Sequence, residues 1–387
     1  MTHFPKYFVR VFKKIVYFCN RNKPSISKQM YEHTGLLDYP YLILYGGAAM
    51  LALVACCYLL LSRVNIFAPS VRPSRELRWW AALFMAAVVM SHVWWTVLGI
   101  VWFEDDWLVR NALAITLDSA TLVPSMMCLL LRMLQDRRRP LWPVALLMIP
   151  PVAIGIGVGV VMHDAIYENI LRDYMLLVGL GFFLYMLFAV KRYGQWLSEN
   201  YADLERKEVW QSLLVLVVIL LVLVCYKFNY GDMAIEYATQ MFTIVLVGFV
   251  LWRVETLQEL LPIPAANAMP TAAVAIGPLL DQYRDETQFY LQHDLTLTQL
   301  AIAIGTNRTY LSSYFATQGI TYNTYVNRLR VEHFMRLYRE CKASGCDATA
   351  VELARQSGYL NYNTFSIAFK RFAGLTVAEW MKREEQA

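Results

Sequence analysis

Charge is what this sequence has least of. Asp, Glu, Lys and Arg make up only 17% of its 387 residues, where soluble domains carry about 25%. A disordered chain is rich in charge and poor in apolar residues, so that class is excluded. Seven cysteines fall at no regular spacing, which excludes a disulfide scaffold. The sequence holds no phosphate-binding glycine loop, no His-kinase-like phosphoacceptor region, no catalytic triad and no metal-ligand spacing. It therefore reads as a non-enzyme with no cofactor and no metal.

What fills the chain instead is apolar. Hydrophobic residues reach 58%, against about 45–50% in soluble proteins. The excess lies between about residues 39 and 253, in seven blocks. They run from Tyr39 to Leu61, Trp79 to Phe103, Leu108 to Leu131, Leu141 to Met162, Ile170 to Val190, Val209 to Tyr226 and Met233 to Leu251. Each is close to the roughly 20 residues that carry a helix across a hydrocarbon core of about 30 Å. Trp79, Trp80, Trp102, Trp107 and Trp142 stand at block ends, where indole favours the headgroup layer. Pro150 and Pro151 predict a kink in the fourth helix.

Loop charge predicts the orientation. Arg63, Arg72, Arg75 and Arg78 lie in the first connection, Arg132, Arg137, Arg138 and Arg139 in the third, and Lys191, Arg192, Arg206 and Lys207 in the fifth. The alternate connections carry Arg110, Arg172 and Lys227 with Glu104, Asp105, Asp106, Asp164 and Glu168. The basic loops are expected inside, which places the C-terminus inside and the N-terminus outside. The tail opposes this, because residues 1–29 hold Lys6, Arg10, Lys13, Lys14, Arg21, Lys23 and Lys28. Translation from Met30 would leave Tyr31 to Asp38, which has no Lys or Arg. The alternative is a basic amphipathic segment lying on the membrane.

Beyond the last block, Trp252 to Leu261 reads as the seventh helix running on, stopped by Pro262 and Pro264. The stretch to Ala275 is rich in Ala and Pro and reads as a linker. The divisions are a tail over 1–38, a membrane domain over 39–253, a helical extension and linker over 254–275, and a soluble all-helical domain over 276–387. That last part carries 12 basic and 11 acidic residues. So balanced a charge predicts modest nonspecific affinity for nucleic acid, and specific contacts or a homodimer must supply more.

An internal repeat stands inside it. Leu300-Ala301 is followed by Gly305, Asn307, Leu311-Ser312 and Phe315; Leu353-Ala354 is followed by Gly358, Asn361, Phe365-Ser366 and Phe369. Each copy reads as a helix, a glycine turn and a second helix. In the second helices Leu311 with Phe315 and Phe365 with Phe369 recur at i and i+4 and face a core. The opposite faces carry Arg308, Thr309, Ser312 and Ser313, and Tyr362, Asn363, Ser366 and Lys370, small or polar groups that suit a major groove. Between the copies, Tyr322 to Cys341 reads as an amphipathic helix of roughly 30 Å. Two recognition helices on one DNA face sit about 34 Å apart.

The runs LTLTQLAIAIGTNRTYLSSYF, GITYNTYVNRLRVEH and VELARQSGYLNYNTFSIAFKRFAGLTVAEW resemble the DNA-binding domain of the AraC/XylS family of bacterial transcription activators. The resemblance covers residues 295–382, about a quarter of the chain, and both half-motifs match in order and spacing. Tyr359 stands where the family usually has Phe, Val377 where it usually has Pro, and Ile367 at a recognition position that is often polar. The last bears on base preference at the second half-site, not on the fold. The resemblance implies DNA-facing roles for Asn307, Arg308, Thr309, Ser312 and Ser313, and for Asn361, Tyr362, Asn363, Ser366 and Ile367. Arg308 suits a guanine edge, which its guanidinium meets bidentately. Lys370 and Arg371 suit phosphate. Asn307 and Asn361 suit helix N-caps equally well, and Ser312 and Ser366 suit close packing.

Two ionisable residues lie inside the apolar blocks, His92 and Asp118. They mark either an intramembrane signal site or packed interhelical hydrogen bonds. Cys56, Cys57, Cys128 and Cys225 read as small core residues, and Cys341 and Cys346 as free thiols.

Together these features predict an all-α chain, a seven-transmembrane-helix bundle followed by a soluble AraC-type double helix-turn-helix domain. The function expected is a membrane-embedded one-component transcription regulator, with the seventh helix passing the signal on. Its partners are double-stranded DNA, the lipid bilayer, a signal ligand or membrane partner, and a second copy. Its expected place is the bacterial inner (cytoplasmic) membrane, multi-pass, with the C-terminal domain in the cytoplasm. The alternative is a transporter or membrane enzyme with a C-terminal regulatory or protein-binding domain.

Overall fold

A computed structural model of the protein describes residues 39–62, 64–69, 71, 73–98, 106–204, 207–227, 233–260 and 276–386. The N-terminal tail with Met30, the Ala/Pro linker after Leu260, and Arg63, Arg72, Trp102, Glu104, Asp105 and Arg206 lie outside the described residues. Among the described residues every named element is a helix. The chain divides into two compact units, one of residues 1–187 and 210–258, the other of residues 188–209 and 259–387.

The first unit begins with α1 (Tyr39–Leu61), α2 (Arg75–Val97) and α3 (Trp107–Met133). Ala48, Ala52 and Ala55 of α1, and Ala81 and Ala82 of α2, are buried where these two helices pack together. Small side chains let helix backbones approach closely, and packing rather than water exclusion drives association in lipid. The large apolar side chains turn outward instead: Ile43 is 75% exposed, Leu177 68% and Val245 63%. A surface of that kind is compatible with a bilayer and not with water.

The fourth block breaks into α4 (Trp142–Leu147), α5 (Ile149–Ile154) and a π-helical turn, Gly155–Val161. The break falls at Met148, just before Pro150 and Pro151, because proline has no N–H to continue the ladder. The π-helical turn packs on α3. A Cβ on Gly155 would sit 1.8 Å from Thr116 Oγ1, and one on Gly159 would sit 2.6 Å from the Ala112 Cβ. Glycine is required there by the closeness of the two backbones.

Next come α6 (Ile166–Asn200), α7 (Gln211–Lys227) and α8 (Met233–Thr256). Six of the described helices are long and apolar enough to cross a membrane. The sixth expected block is α7, of which 17 residues are described. The seventh helix corrects the sequence reading. It ends at Thr256 and does not run on to Leu261. Its end is pinned: Asn65 Nδ2 donates to the Glu255 carbonyl at 2.7 Å, Arg78 Nε pairs with the Glu255 carboxylate at 3.0 Å, and Tyr58 donates to the same carboxylate at 3.2 Å. Asn65 thereby satisfies one of the carbonyls that a helix end leaves open.

The second unit is built of the last turns of α6, the segment to Val209, and α9 (Ile276–Thr287), α10 (Leu297–Ala303), α11 (Arg308–Thr317), α12 (Tyr322–Ser344), α13 (Ala350–Gln356), α14 (Tyr362–Ala373) and α15 (Val377–Gln386). It holds two separate apolar cores. One gathers Ala202, Phe289, Leu297, Leu300, Leu311, Phe315, Tyr322 and Val326. The other gathers Val331, Phe334, Leu353, Phe365, Phe369 and Trp380. Helix α12 serves both, with its N-terminal half in the first and its C-terminal half in the second. Its 23 residues span about 34 Å. At its end Cys341 and Cys346, expected as free thiols, stand side by side with Cα atoms 4.9 Å apart. The left-handed turn at Gly345, φ +69°, folds the chain back and brings the two side chains face to face.

Candidate nucleic-acid interface

The two repeats fold alike for local reasons. Thr296 and Gln299 form a reciprocal cap at the start of α10, and Thr349 and Glu352 do the same for α13. Each satisfies two backbone donors that a helix start leaves open. Turns follow at Gly305, φ +74°, and Gly358, φ +90°, a backbone conformation that glycine adopts without strain. The second turn also needs glycine for space, since a Cβ there would lie 3.1 Å from the Tyr290 carbonyl oxygen. Asn307 and Asn361 then cap the recognition helices. Their side-chain oxygens accept from the backbone N–H of Tyr310 at 2.9 Å and of Asn363 at 2.8 Å. Both asparagines therefore cap their helices.

The remaining positions divide by exposure. Leu311 and Phe315 of α11, and Phe365 and Phe369 of α14, are buried as expected. Thr309 and Ser313 are exposed, and Arg308 and Ser312 half-buried. On α14, Asn363, Ile367, Lys370 and Arg371 are exposed and share one face, while Ser366 is half-buried. Tyr362 departs from the expected open face. It is half-buried, with its ring 5.5 Å from Phe365. Ile367 is 73% exposed, an apolar group standing out among polar ones. Tyr310 was missed by the sequence reading. It is exposed on α11, three residues before Ser313, and its helical spacing with Ser313 and Thr317 was the signal available.

A second omission lies outside the repeats. Residues 200–204 and 207, which follow the fifth apolar block, are built into the first half of the domain. Arg330 is fully buried. Its Nη1 and Nη2 donate to the Asp203 carboxylate at 2.6 and 3.2 Å, its Nε donates to the Tyr290 carbonyl at 2.6 Å, and Nη2 also reaches the Gln292 carbonyl at 2.9 Å. Lys207 is buried too and pairs with Asp294 at 2.5 Å. Ala202 N–H donates to the Leu295 carbonyl at 3.2 Å, and Tyr201 bridges to Thr296. Asn200 accepts from Arg308 Nε at 2.9 Å. No periodicity marks this pairing, because it joins residues 87 to 127 positions apart.

Burial shifts the titration of several groups here. The Tyr322 and Tyr359 phenols are pushed well above the ordinary range by desolvation, and Tyr325 up to about 12 for the same reason. His333 is buried beside Tyr290, whose hydroxyl lies 3.0 Å from Nδ1, and Arg336, 2.8 Å from the same atom. Desolvation, and then the Arg336 charge, hold its pKa below the usual 6.5. The folded state thus binds fewer protons than the unfolded one on the acid side. The stability this residue contributes is complete above about pH 6.5 and is lost as pH falls from there through the lowered folded value. Thermal unfolding of the His333→Gln variant is expected to show a flatter decline between pH 7 and 5 than the parent protein. An unchanged pH profile would exclude His333 as its source.

In the first unit, His92 and Asp118 each have partners of their own. His92 Nδ1 meets the Val88 carbonyl at 2.8 Å and Nε2 meets the Gln240 amide at 3.0 Å, while the Tyr45 ring lies 4.4 Å from the imidazole. Asp118 accepts from the indoles of Trp94 at 3.1 Å and Trp95 at 2.8 Å. These contacts tie α1, α2, α3 and α8 together.

Residues 300–383 match the model of a helix-turn-helix domain family. No curated protein and no solved structure matches the chain. The matched family is one of DNA-binding regulators rather than enzymes, and the matched residues begin within α10 and take in both recognition helices and the long helix between them. The chain thus carries an AraC-type helix-turn-helix domain of DNA-binding transcription regulation, preceded in sequence by helices long and apolar enough to span a membrane.

Proposed function

We propose that the protein is a membrane-embedded one-component transcription regulator, reading a specific duplex sequence through α11 and α14 under the control of its apolar unit. The observation that carries this reading is the pair of capped recognition helices at the two ends of a 23-residue helix. That helix is about as long as one turn of DNA, about 34 Å. The apolar unit crosses the inner membrane of a bacterium seven times, α7 included, with the basic loops and the C-terminal unit on the cytoplasmic side. His92 and Asp118 are the ionisable groups through which a ligand or a membrane partner acts.

Within the reader, Arg308 takes a guanine edge, and Thr309 and Ser313 line the groove beside it. Asn363 and Ile367 form the second reading surface, the isoleucine suited to a thymine methyl group. Lys370 and Arg371 hold phosphate and fix the register. The near-neutral charge of the domain leaves little nonspecific attraction, so a second copy on adjoining half-sites adds the remaining affinity.

The test is selection of bound sequences from random duplex DNA by the full chain in lipid nanodiscs. A single enriched motif with two half-sites one helical turn apart is the expected result. Arg308→Ala is expected to weaken binding to it by roughly 5- to 150-fold, the equivalent of about 1–3 kcal/mol, and to erase preference at one base pair only. Failure of the full chain to enrich any sequence would overturn the reading.

A further inference from the structure

Asn200 is the last residue of α6, the helix that begins as the fifth apolar block. It lies outside the matched domain yet touches that domain's best base-reading residue. It is almost wholly buried, and both ends of its amide are used: Nδ2 donates to the Trp196 carbonyl at 2.7 Å, and Oδ1 accepts from Arg308 Nε at 2.9 Å. The surroundings hold it in place. Trp196 stacks on Tyr193 with ring centroids 5.9 Å apart, and Tyr193 donates to the Lys207 carbonyl at 3.1 Å. Three residues on, Asp203 is clamped to Arg330.

The choice of atom matters. A guanidinium meets a base edge either along the side formed by Nε and one Nη, or end-on through Nη1 and Nη2. With Nε committed to Asn200, only the end-on fork remains, and Nη1 and Nη2 of Arg308 make no hydrogen bond among the described residues. A side chain fixed before binding also loses less rotamer freedom on DNA.

Resting on the function proposed above, we infer that Asn200 is a positioning residue of the DNA reader, holding Arg308 by Nε so that its terminal fork meets the guanine edge. Because Asn200 ends α6, displacement of that helix removes the support from Arg308. The fifth apolar helix, not the seventh with its linker, is then the element through which the apolar unit alters base recognition.

The experiment uses the full chain in nanodiscs with the motif selected by the parent protein. Asn200→Ala is expected to lower affinity for that motif about tenfold, the low end of the worth of a hydrogen bond from a charged donor. It should relax preference at the base pair that Arg308→Ala also relaxes, leave binding to unrelated duplex unchanged, and add no further loss in the Arg308→Ala background. Asn200→Asp keeps an acceptor for Nε and is expected to retain the preference. Three results would overturn the inference: unchanged affinity and preference in Asn200→Ala, an equal loss on all sequences, which marks a merely structural role, or a gain in affinity, which marks a contact that withholds Arg308 from DNA. A parent protein that selects no motif overturns both this inference and the reading on which it rests. A parent that selects a motif, with Arg308→Ala altered and Asn200→Ala not, overturns this one alone.

Discussion

Asp203→Ala is expected to destabilise the DNA-binding unit by roughly 3–5 kcal/mol, the cost of leaving a buried charge without its partner. Arg330 has no solvent access and keeps the Tyr290 and Gln292 carbonyls and the face of the Tyr359 ring once the carboxylate is gone. Two carbonyl dipoles do not replace a full negative charge held at 2.6 Å. Hydrogen exchange on the full chain in detergent measures the effect. Amides of α10, α11 and the first half of α12 should lose protection together, since Arg330 anchors the loop before α10 to α12. Replacing both partners with apolar residues, Asp203→Leu with Arg330→Met, is expected to recover much of the loss, because no charge is then stranded. Protection in Asp203→Ala equal to the parent would show that the pair holds nothing together. The same argument applies to truncation, since a fragment of residues 276–387 lacks Asp203 and strands Arg330 in the same way.

Phe334→Ala is expected to cost a similar amount, roughly 3–5 kcal/mol, but on the other half of the unit. Phe334 is fully buried, with its ring 4.5 Å from Phe365, 5.7 Å from Phe369 and 6.2 Å from Trp380. Few residues remain in that core, so a cavity at its centre has little around it to collapse inward. The first core has no share in Phe334. Exchange should therefore quicken in α13, α14 and α15 while α10 and α11 stay protected, and the DNA footprint should shrink to one half-site. Uniform loss of protection across both repeats would mean that the two cores do not melt separately.

Much of this architecture is written in local pattern. The repeat of Leu-Ala, Gly, Asn and paired aromatics places both helix-turn-helix units within a residue or two, because caps, left-handed glycines and i, i+4 apolar pairs act over one or two turns of helix. The apolar blocks likewise announce helices by length and composition alone. Where the pattern failed, a distant partner had intervened. The run from Trp252 to Leu261 has helical composition, yet α8 stops at Thr256, where Asn65, nearly two hundred residues earlier, takes the Glu255 carbonyl.

By itself the sequence determined that the chain is helical, that most of its apolar excess lies in long blocks before residue 254, and that a paired DNA-binding motif follows. These are properties of neighbours along the chain: periodicity, capping and hydrophobic length. Only the tertiary structure decided where the DNA-binding unit begins. Residues 188–209 look like the end of one membrane block and a basic loop, and nothing near them in sequence says otherwise. They join the reader because Asp203, Lys207 and Asn200 meet Arg330, Asp294 and Arg308 in space. A buried guanidinium must be neutralised wherever an acceptor can be brought to it, and that requirement acts on distance through the fold, not on distance along the chain.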